Sequence, residues 1–350
     1  MNINQTINQL TQRIPELMNE VSVPGLSIAL IYEGEIAWTD GFGVLDLRTK
    51  ELVTTETYFE GCSLSKPPFA YAALKLHEQN VIDLDTPLVS YLSEPYDKFE
   101  PDVKDDPRLP LITMRNVLCH MCGLPNWARK DETLKIRLDP NTRFSYSGEG
   151  YMYLQRVIEQ IRGQLGEDFM QSSLLQPLGM TKSTYIWSKE NEPSIATGHK
   201  RKGEPADKFY MDTMWSAASL HTTPTDFAKF MVAMMNPNDT IADLMLAPQI
   251  YVNDSAPWHK EWPDLDSPTD ERVSWGLGWG IQHQEPHDSF WHWGDNFTFT
   301  AFAAGFRETG SGVVIMTNSP NGYALYEQVC QLAIGGEYPG LWWLRRLFSD

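Results

Sequence analysis

Ser63 and Lys66 make the only Ser-x-x-Lys in the 350-residue chain. At helical spacing i and i+3, the hydroxyl and the amine lie on one face, within reach of each other. A serine is a poor nucleophile until a neighbouring base takes its proton, and a desolvated lysine can serve. A helix N-terminus favours developing negative charge through its dipole and free N–H groups. The chemistry on offer is acyl transfer to a serine. The same tetrapeptide also reads as a helix cap beside a solvated lysine. Taken alone, the four residues leave both readings open.

Other chemistries find less support. The nearest approach to a Gly-x-Ser-x-Gly elbow, Gly61-Cys-Ser63-Leu-Ser65, lacks its second glycine. HExxH, the phosphate-loop pattern and a strand-borne GxGxxG are absent. Gly276-Leu-Gly278-Trp-Gly280 precedes no helix and reads as a strand with close backbone packing. Cys119-His-Met-Cys122 has the spacing of a metal or redox pair, but zinc takes four ligands and no second pair exists. Small buried side chains are the better reading. Pro286, between His283 and His287, spoils a helical metal face, so that pair is expected on a surface loop. Neither a metal nor a cofactor is expected.

The elements that must position Ser63 follow from periodicity. Residues 5–19 carry Ile7, Leu10, Ile14 and Leu17 on one helical face. LSIALIY, the turn signal Glu33-Gly34 and EIAW predict a β-hairpin. A helix is predicted from about Ser63, with Phe69, Ala73 and Leu76 on one side. Pro67 is tolerated in its first turn, whereas Pro68 is expected to distort it. Further helices are predicted over 113–121 and over 149–162, the second stopping at Gly163. Thr223-Pro-Thr-Asp226 reads as a capping box opening a helix through Met235. Residues 94–110 and 253–272 read as long surface loops. Strands return after Trp275 as GLGWGIQ, FTFTAFAAGF and GVVIMTN. This order predicts one sheet lobe from residues 1–80 and 270–350, with a mainly helical lobe from 81–269.

Composition narrows the partners. The chain has 28 Lys+Arg against 46 Asp+Glu, a net charge of −18, which disfavours phosphate backbones and anionic membranes. Hydrophobic residues at 42% and charged residues at 21% rule out disorder. No apolar run approaches the roughly 20 residues of a membrane span. MNINQTINQLTQRIPEL lacks the regions of a secretory signal, and the four cysteines fit a reducing compartment. A cytoplasmic protein is expected, or a periplasmic one if a signal was trimmed.

Two further segments change the weight of Ser63. Phe144-Ser-Tyr146-Ser-Gly148 stands directly before the helix near Glu149, and His292-Trp293-Gly294 lies on a late strand. Ser-x-x-Lys opening a helix, Tyr-Ser-x in a helical lobe and basic-x-Gly on a late strand resemble the three motifs of the serine β-lactamase and penicillin-binding-protein superfamily. The sequence is similar to its class C-like branch, which includes β-lactamase-like esterases and D-stereospecific peptidases. VPGLSIALIYEGEIAW, LITMRNVLCHMCGLP and SAASLHTTPTDFAKFM resemble flanking blocks of that family, from about residue 23 to 318. The resemblance implies an α/β fold, an α+β sandwich whose antiparallel sheet is flanked by helices, plus an all-helical lobe.

It also implies roles. Ser63 would be acylated, Lys66 would hold or take its proton, and Tyr146 would be the partner acid and base. Which of Lys66 and Tyr146 acts first as base stays open. His292 stands at the third motif's lysine, and the backbone N–H groups of Ser63 and Asp295 would form the oxyanion hole beside Gly294. Two positions depart from the family pattern. Gly148 replaces the Asn whose amide bonds a β-lactam's acylamide group. Trp293 replaces a small or hydroxyl residue that helps bind a substrate carboxylate; it cannot accept a hydrogen bond, and it is expected to add aromatic surface for the substrate. Trp127, Trp215, Trp275, Trp279 and Trp291 could line an apolar pocket, or pack in the core. Cys62 reads as a small buried filler.

The expected activity is a carboxylesterase on small or medium apolar esters, with weak β-lactamase side activity. A β-lactamase and a D-stereospecific peptidase or amidase are alternatives. The peptidase is favoured if a substrate amine or carboxylate finds Asp295 or Arg307. A protein that is acylated without turnover is a further alternative. The expected partner is a small-molecule ester or amide.

Overall fold

The computed structural model describes residues 2–99, 103–128, 133–208, 210–253 and 269–348. Its N-terminal part runs α1 (Ile3–Val21), β1 (Gly25–Tyr32), β2 (Glu35–Gly43), β3 (Phe59–Cys62) and α2 (Lys66–Glu78). The middle holds α3 (Met114–Leu118), α4 (Gly148–Arg162), α5 (Gly166–Met170), β4 (Leu220–Thr222), α6 (Pro224–Met234) and α7 (Thr240–Leu246). The C-terminal part holds β5 (Ile250–Asn253), β6 (Thr269–Trp275), β7 (Gly280–Gln282), β8 (Ser289–Asp295), β9 (Thr300–Phe306), β10 (Ser311–Thr317), α8 (Tyr323–Ile334) and α9 (Pro339–Phe348).

Eight strands form one antiparallel sheet in the order β2-β1-β10-β9-β8-β7-β6-β5, and β3 and β4 pair as a separate ribbon. The hairpin from the chain's start therefore joins strands from its end. Leu26 faces Thr317 and Ile31 faces Gly312 across β1 and β10. β1 lies inside the sheet, between β2 and β10, and is buried over seven of its eight residues. α1 lays its stripe of Leu10, Ile14 and Leu17 into the core and packs with α8, while α6 packs on β1, β2 and β10. β5 thus joins the sheet and α6 packs on it, although both fall within residues 81–269.

Several expectations need correction. Pro67 and Pro68 do not distort α2. The helix begins at Lys66, so both fall in the first turn, where their missing N–H groups have no intrahelical acceptor to lose. α3 stops at Leu118 rather than 121 because the chain reverses at His120, whose φ is 58°. Thr223 caps α6 by accepting from Asp226 N, but the Asp226 carboxylate turns to Lys182 N, Ser183 and Lys229 instead of closing a box. Residues 276–279 are a bend between β6 and β7, and only Gly280 belongs to a strand. Within 253–272, Asn253 and residues 269–272 are paired strand, and 254–268 lie outside the described residues. β10 and β9 match the expected late strands, as α4 matches its helix up to Gly163, left-handed at φ 62°.

Candidate active site

β3 delivers the chain to Ser63 through a strained turn. Cys62 has φ 49° and ψ −123°, a region where a non-glycine residue costs about 1–3 kcal/mol. Ser65 holds that strain in place. Its hydroxyl donates to Cys62 O at 2.5 Å and accepts from Leu220 N at 2.9 Å, while its carbonyl accepts from Tyr185 OH at 2.7 Å. One 3-10 turn, Ser63–Ser65, then leads into α2. Ser63 is thereby set at the head of a helix, as its spacing from Lys66 predicts.

Lys66 Nζ lies 3.0 Å from Ser63 Oγ and donates to Ala217 O at 2.7 Å. The side chain is fully buried, and burial pushes its pKa well below the ordinary lysine range, with only the Cys62 thiol opposing. A neutral amine has two N–H groups and one lone pair. One N–H is used by Ala217, which leaves the lone pair able to receive the Ser63 proton. Nζ also sits 4.7 Å from the centre of the Tyr146 ring.

Tyr146 arrives from the loop before α4. Ser147 caps that helix by accepting from Gly150 N at 2.9 Å, so the phenol is set by a helix start. Tyr146 is fully buried. Burial holds its phenol protonated, opposed in part by a hydrogen bond with Ser63. Tyr146, far from the other two in sequence, therefore meets Ser63 and Lys66.

β8 supplies the third side. It pairs with β7 only through Ser289–Trp291, so residues 292–295 keep one edge free of any strand among the described residues. The Ser63 turn packs against β8. The approach requires a glycine, because a Cβ on Gly294 would collide with Gly61 O. Asp295, the expected oxyanion position, follows. Its carboxyl is pushed up to about 6 by burial and accepts from Phe297 N at 2.6 Å. Glu60, pushed up to about 7 by burial, accepts from Asn296 Nδ2 and ties β3 to the turn after β8.

His292 does not act as the cation its motif position suggests. It is fully buried, its Nδ1–H donates to Trp293 O at 2.8 Å, and burial pushes its pKa well down. The ring is neutral. Trp293 is corrected too: it adds no surface for a substrate. Strand alternation puts Trp291 and Trp293 on one face of β8, stacked at 5.7 Å, and Trp343 of α9 covers them. Trp293 instead backs the Tyr146 ring at 4.8 Å. Trp275, Trp279 and Trp291 are likewise fully buried core. Trp127 and Trp215 remain, each 39% exposed with rings 5.7 Å apart.

Gly148 lies under Trp127. A Cβ there would fall 2.7 Å from Asn126 O and 3.1 Å from both Asn126 Oδ1 and Trp127 Cη2, so the position has no room for a side chain. Its N–H donates to Asn126 O and Oδ1, both at 3.1 Å. Arg307 is committed elsewhere, to Asp243 and the carbonyls of Asn236 and Asp239. The cysteines are all free and buried, with Cys119 pushed up to about 12, and no cluster suited to a metal occurs among the described residues. His283 donates or accepts at Ser274 and Asp288, just beyond β7.

Sequence reasoning missed Ala217, Ser65, Asn126 and His120. Ala217 acts through its carbonyl, which no side-chain pattern reveals. Asn126 and His120 lie in or next to LITMRNVLCHMCGLP, a block quoted for its likeness and not read for its chemistry.

Known proteins share this architecture. A class C beta-lactamase superposes with a TM-score of 0.78 at 17% identity, covering 96% of this chain and 98% of that one. The D-alanine carboxypeptidase AmpC from Burkholderia cenocepacia superposes at 0.77 with 18% identity, covering 95% and 99%. Among curated proteins, the unguisins hydrolase ungD of Aspergillus violaceofuscus is 24% identical over 65% of this chain and 44% of its own length. Penicillin-binding protein 4* of Bacillus subtilis is 26% identical over 46% of this chain and 37% of its own length. The chain spans about half the length of the curated relatives it matches. Among the described residues no helix is long and apolar enough to cross a membrane. Residues 10–328 match the sequence profile described as Beta-lactamase, and the fold agrees, so the chain belongs to the beta-lactamase family of serine hydrolases.

Proposed function

We propose that the chain is a carboxylesterase working through an acyl-serine at Ser63. The observation that carries it is Lys66 Nζ, 3.0 Å from Ser63 Oγ in a fully buried place that favours the neutral amine. Lys66 takes the Ser63 proton as the hydroxyl attacks the ester carbonyl. Tyr146, protonated at rest, gives a proton to the departing alcohol and then receives one from the deacylating water, while Lys66 returns its proton to Ser63 Oγ as the acyl group leaves. The N–H groups of Ser63 and Asp295 bind the oxyanion, and the developing charge falls at the head of α2.

Three features support an uncharged ester over a β-lactam. Burial lowers the pKa of both Lys66 and His292, which disfavours the cations that a substrate carboxylate would need. Gly148 brings no amide, and position 293 no hydroxyl. Trp127 and Trp215 offer exposed apolar surface beside Gly148. Each missing polar anchor costs about 1–3 kcal/mol for a substrate that needs it, roughly tenfold to hundredfold. Aryl esters, a chromogenic cephalosporin and D-alanyl amides assayed side by side test the reading. A short-chain aryl ester should exceed the cephalosporin in kcat/KM by at least about a hundredfold. Equal rates would end the ester preference.

A second reading has one observation in its favour. Asp295 makes no salt bridge among the described residues, and its carboxylate lies next to the expected oxyanion donor. A substrate ammonium group could pair with it, as in an amidase acting on amine-bearing substrates. D-alanyl amides turned over faster than esters, with loss of that preference in Asp295→Asn, would support this reading instead.

A further inference from the structure

His120 has no part in the chemistry above, yet it contacts Ser145, Tyr146 and Ser147 in turn. We propose that His120 is a positioning residue that clamps the Tyr146 segment, a role that rests on the acyl-serine reading. α3 ends in a Schellman motif, with His120 N donating to Val117 O at 3.1 Å and Met121 N to Asn116 O at 2.7 Å. His120 fills the left-handed position of that motif at φ 58°. Glycine is the usual occupant, because a Cβ is disfavoured there. A histidine held against that preference points to work done by its other groups.

Three contacts supply that work. The His120 carbonyl accepts from Ser145 N at 2.7 Å, and its ring Nδ1 accepts from Ser147 N at 3.0 Å. The ring lies 4.1 Å from the Tyr146 ring, centre to centre, with planes 34° apart. The residue before the phenol, the phenol and the residue after it are thus each held by one side chain or its carbonyl. Ser147 is also the cap of α4, so the clamp fixes Tyr146 and the helix start together. Because Nδ1 accepts from an amide, the ring proton sits on Nε2 and the imidazole is neutral. Trp275 at 5.3 Å and Phe144 at 5.7 Å wedge the ring in place. Neither bond depends on a charge, so the clamp works by geometry.

The test separates the acceptor from the ring. His120→Phe keeps a buried ring against Tyr146 and removes the acceptor. His120→Asn restores an acceptor near Nδ1 and tolerates the left-handed backbone. In ester hydrolysis, His120→Phe should lose kcat by about 10- to 100-fold, the scale of an ångström-level misplacement, with KM nearly unchanged. His120→Asn should recover most of that loss. In a Tyr146→Phe background, His120→Phe should cost almost nothing further, because the clamp acts through the phenol. Full kcat in His120→Phe, or an equal loss in both backgrounds, would overturn the clamp. So would losses in both variants that only track their melting temperatures. Fluorophosphonate labelling of the unmodified protein keeps the two ideas apart. No label on Ser63 defeats the acyl-serine reading, whereas a labelled Ser63 with unimpaired His120→Phe defeats the clamp alone.

Discussion

The Ser63 side and the Trp127 side of the site are built in opposite ways. Around Ser63, a strained turn is locked by Ser65, Leu220 and Tyr185, and Lys66 is enclosed completely. Around Trp127, two half-exposed indoles flank a glycine with no room for a side chain. The first side fixes atoms by hydrogen bonds within about 3 Å, the second offers shape and apolar surface. Burial on the first side changes protonation states, because a charge without water or a partner is costly. Partial exposure on the second changes little except what can rest there. If the proposed function holds, reaction type and substrate choice are carried by different walls and should be separable by mutation.

The largest effects should come from the enclosed side. Ser63→Ala should stay folded and lose at least about four orders of magnitude in kcat/KM, as removal of a nucleophile does. Circular dichroism with ester kinetics checks it, and near-normal turnover would break the comparison at its root. Lys66→Ala and Tyr146→Phe should each cost about 10²–10⁴-fold, the usual range for general acid–base groups. The double variant should be little worse than either single one, because groups acting as a unit are not additive. Losses that multiply would mean two independent roles.

Lysine protonation sharpens the same point. Only neutral Lys66 can accept a proton, and burial moves its pKa well below the ordinary range. Activity should therefore fall as pH drops through that lowered pKa and stay level above it. A pH–rate profile that keeps climbing toward about pH 10, the ordinary lysine value, would place Lys66 in solvent.

The open side should give smaller and more selective losses. Trp127→Ala or Trp215→Ala should raise KM about tenfold for bulky apolar esters, equivalent to ~1–2 kcal/mol of lost apolar contact, with kcat for acetyl esters unchanged. A loss of kcat that ignores acyl size would move these indoles into the chemistry. The smallest effect concerns stability. Glu60 has its folded pKa raised from 4.5 to about 7, so the folded state binds more protons than the unfolded one between those values. Its contribution is present below about pH 4.5 and is lost as pH rises toward 7. Glu60→Gln should flatten that slope in denaturant titrations across this window, and an unchanged slope would contradict it.

What the sequence made legible follows the same division. Ser63 and Lys66 could be read because helix spacing is a local property, as could the stop of α4 at Gly163, whereas Tyr146 entered only through the family resemblance. His292 was legible in place but not in charge, since its neutrality comes from neighbours on other elements. Trp293 was misread because strand alternation gives its face, while only α9 decides that the face is covered. β5 and the start of β6 hid in a Pro- and Asp-rich stretch whose composition reads as loop, and whose pairing is a tertiary fact. Ala217 left no trace at all, because any residue presents a carbonyl.

The most direct test of the account is the site and rate of covalent labelling. The protein is treated with a fluorophosphonate, its peptides are mapped by mass spectrometry, and labelling is timed with and without Lys66. One label on Ser63, formed about a hundredfold or more slowly in Lys66→Ala, is the predicted result. A label on Ser65, or an undiminished rate without Lys66, would contradict the claim that this lysine activates Ser63.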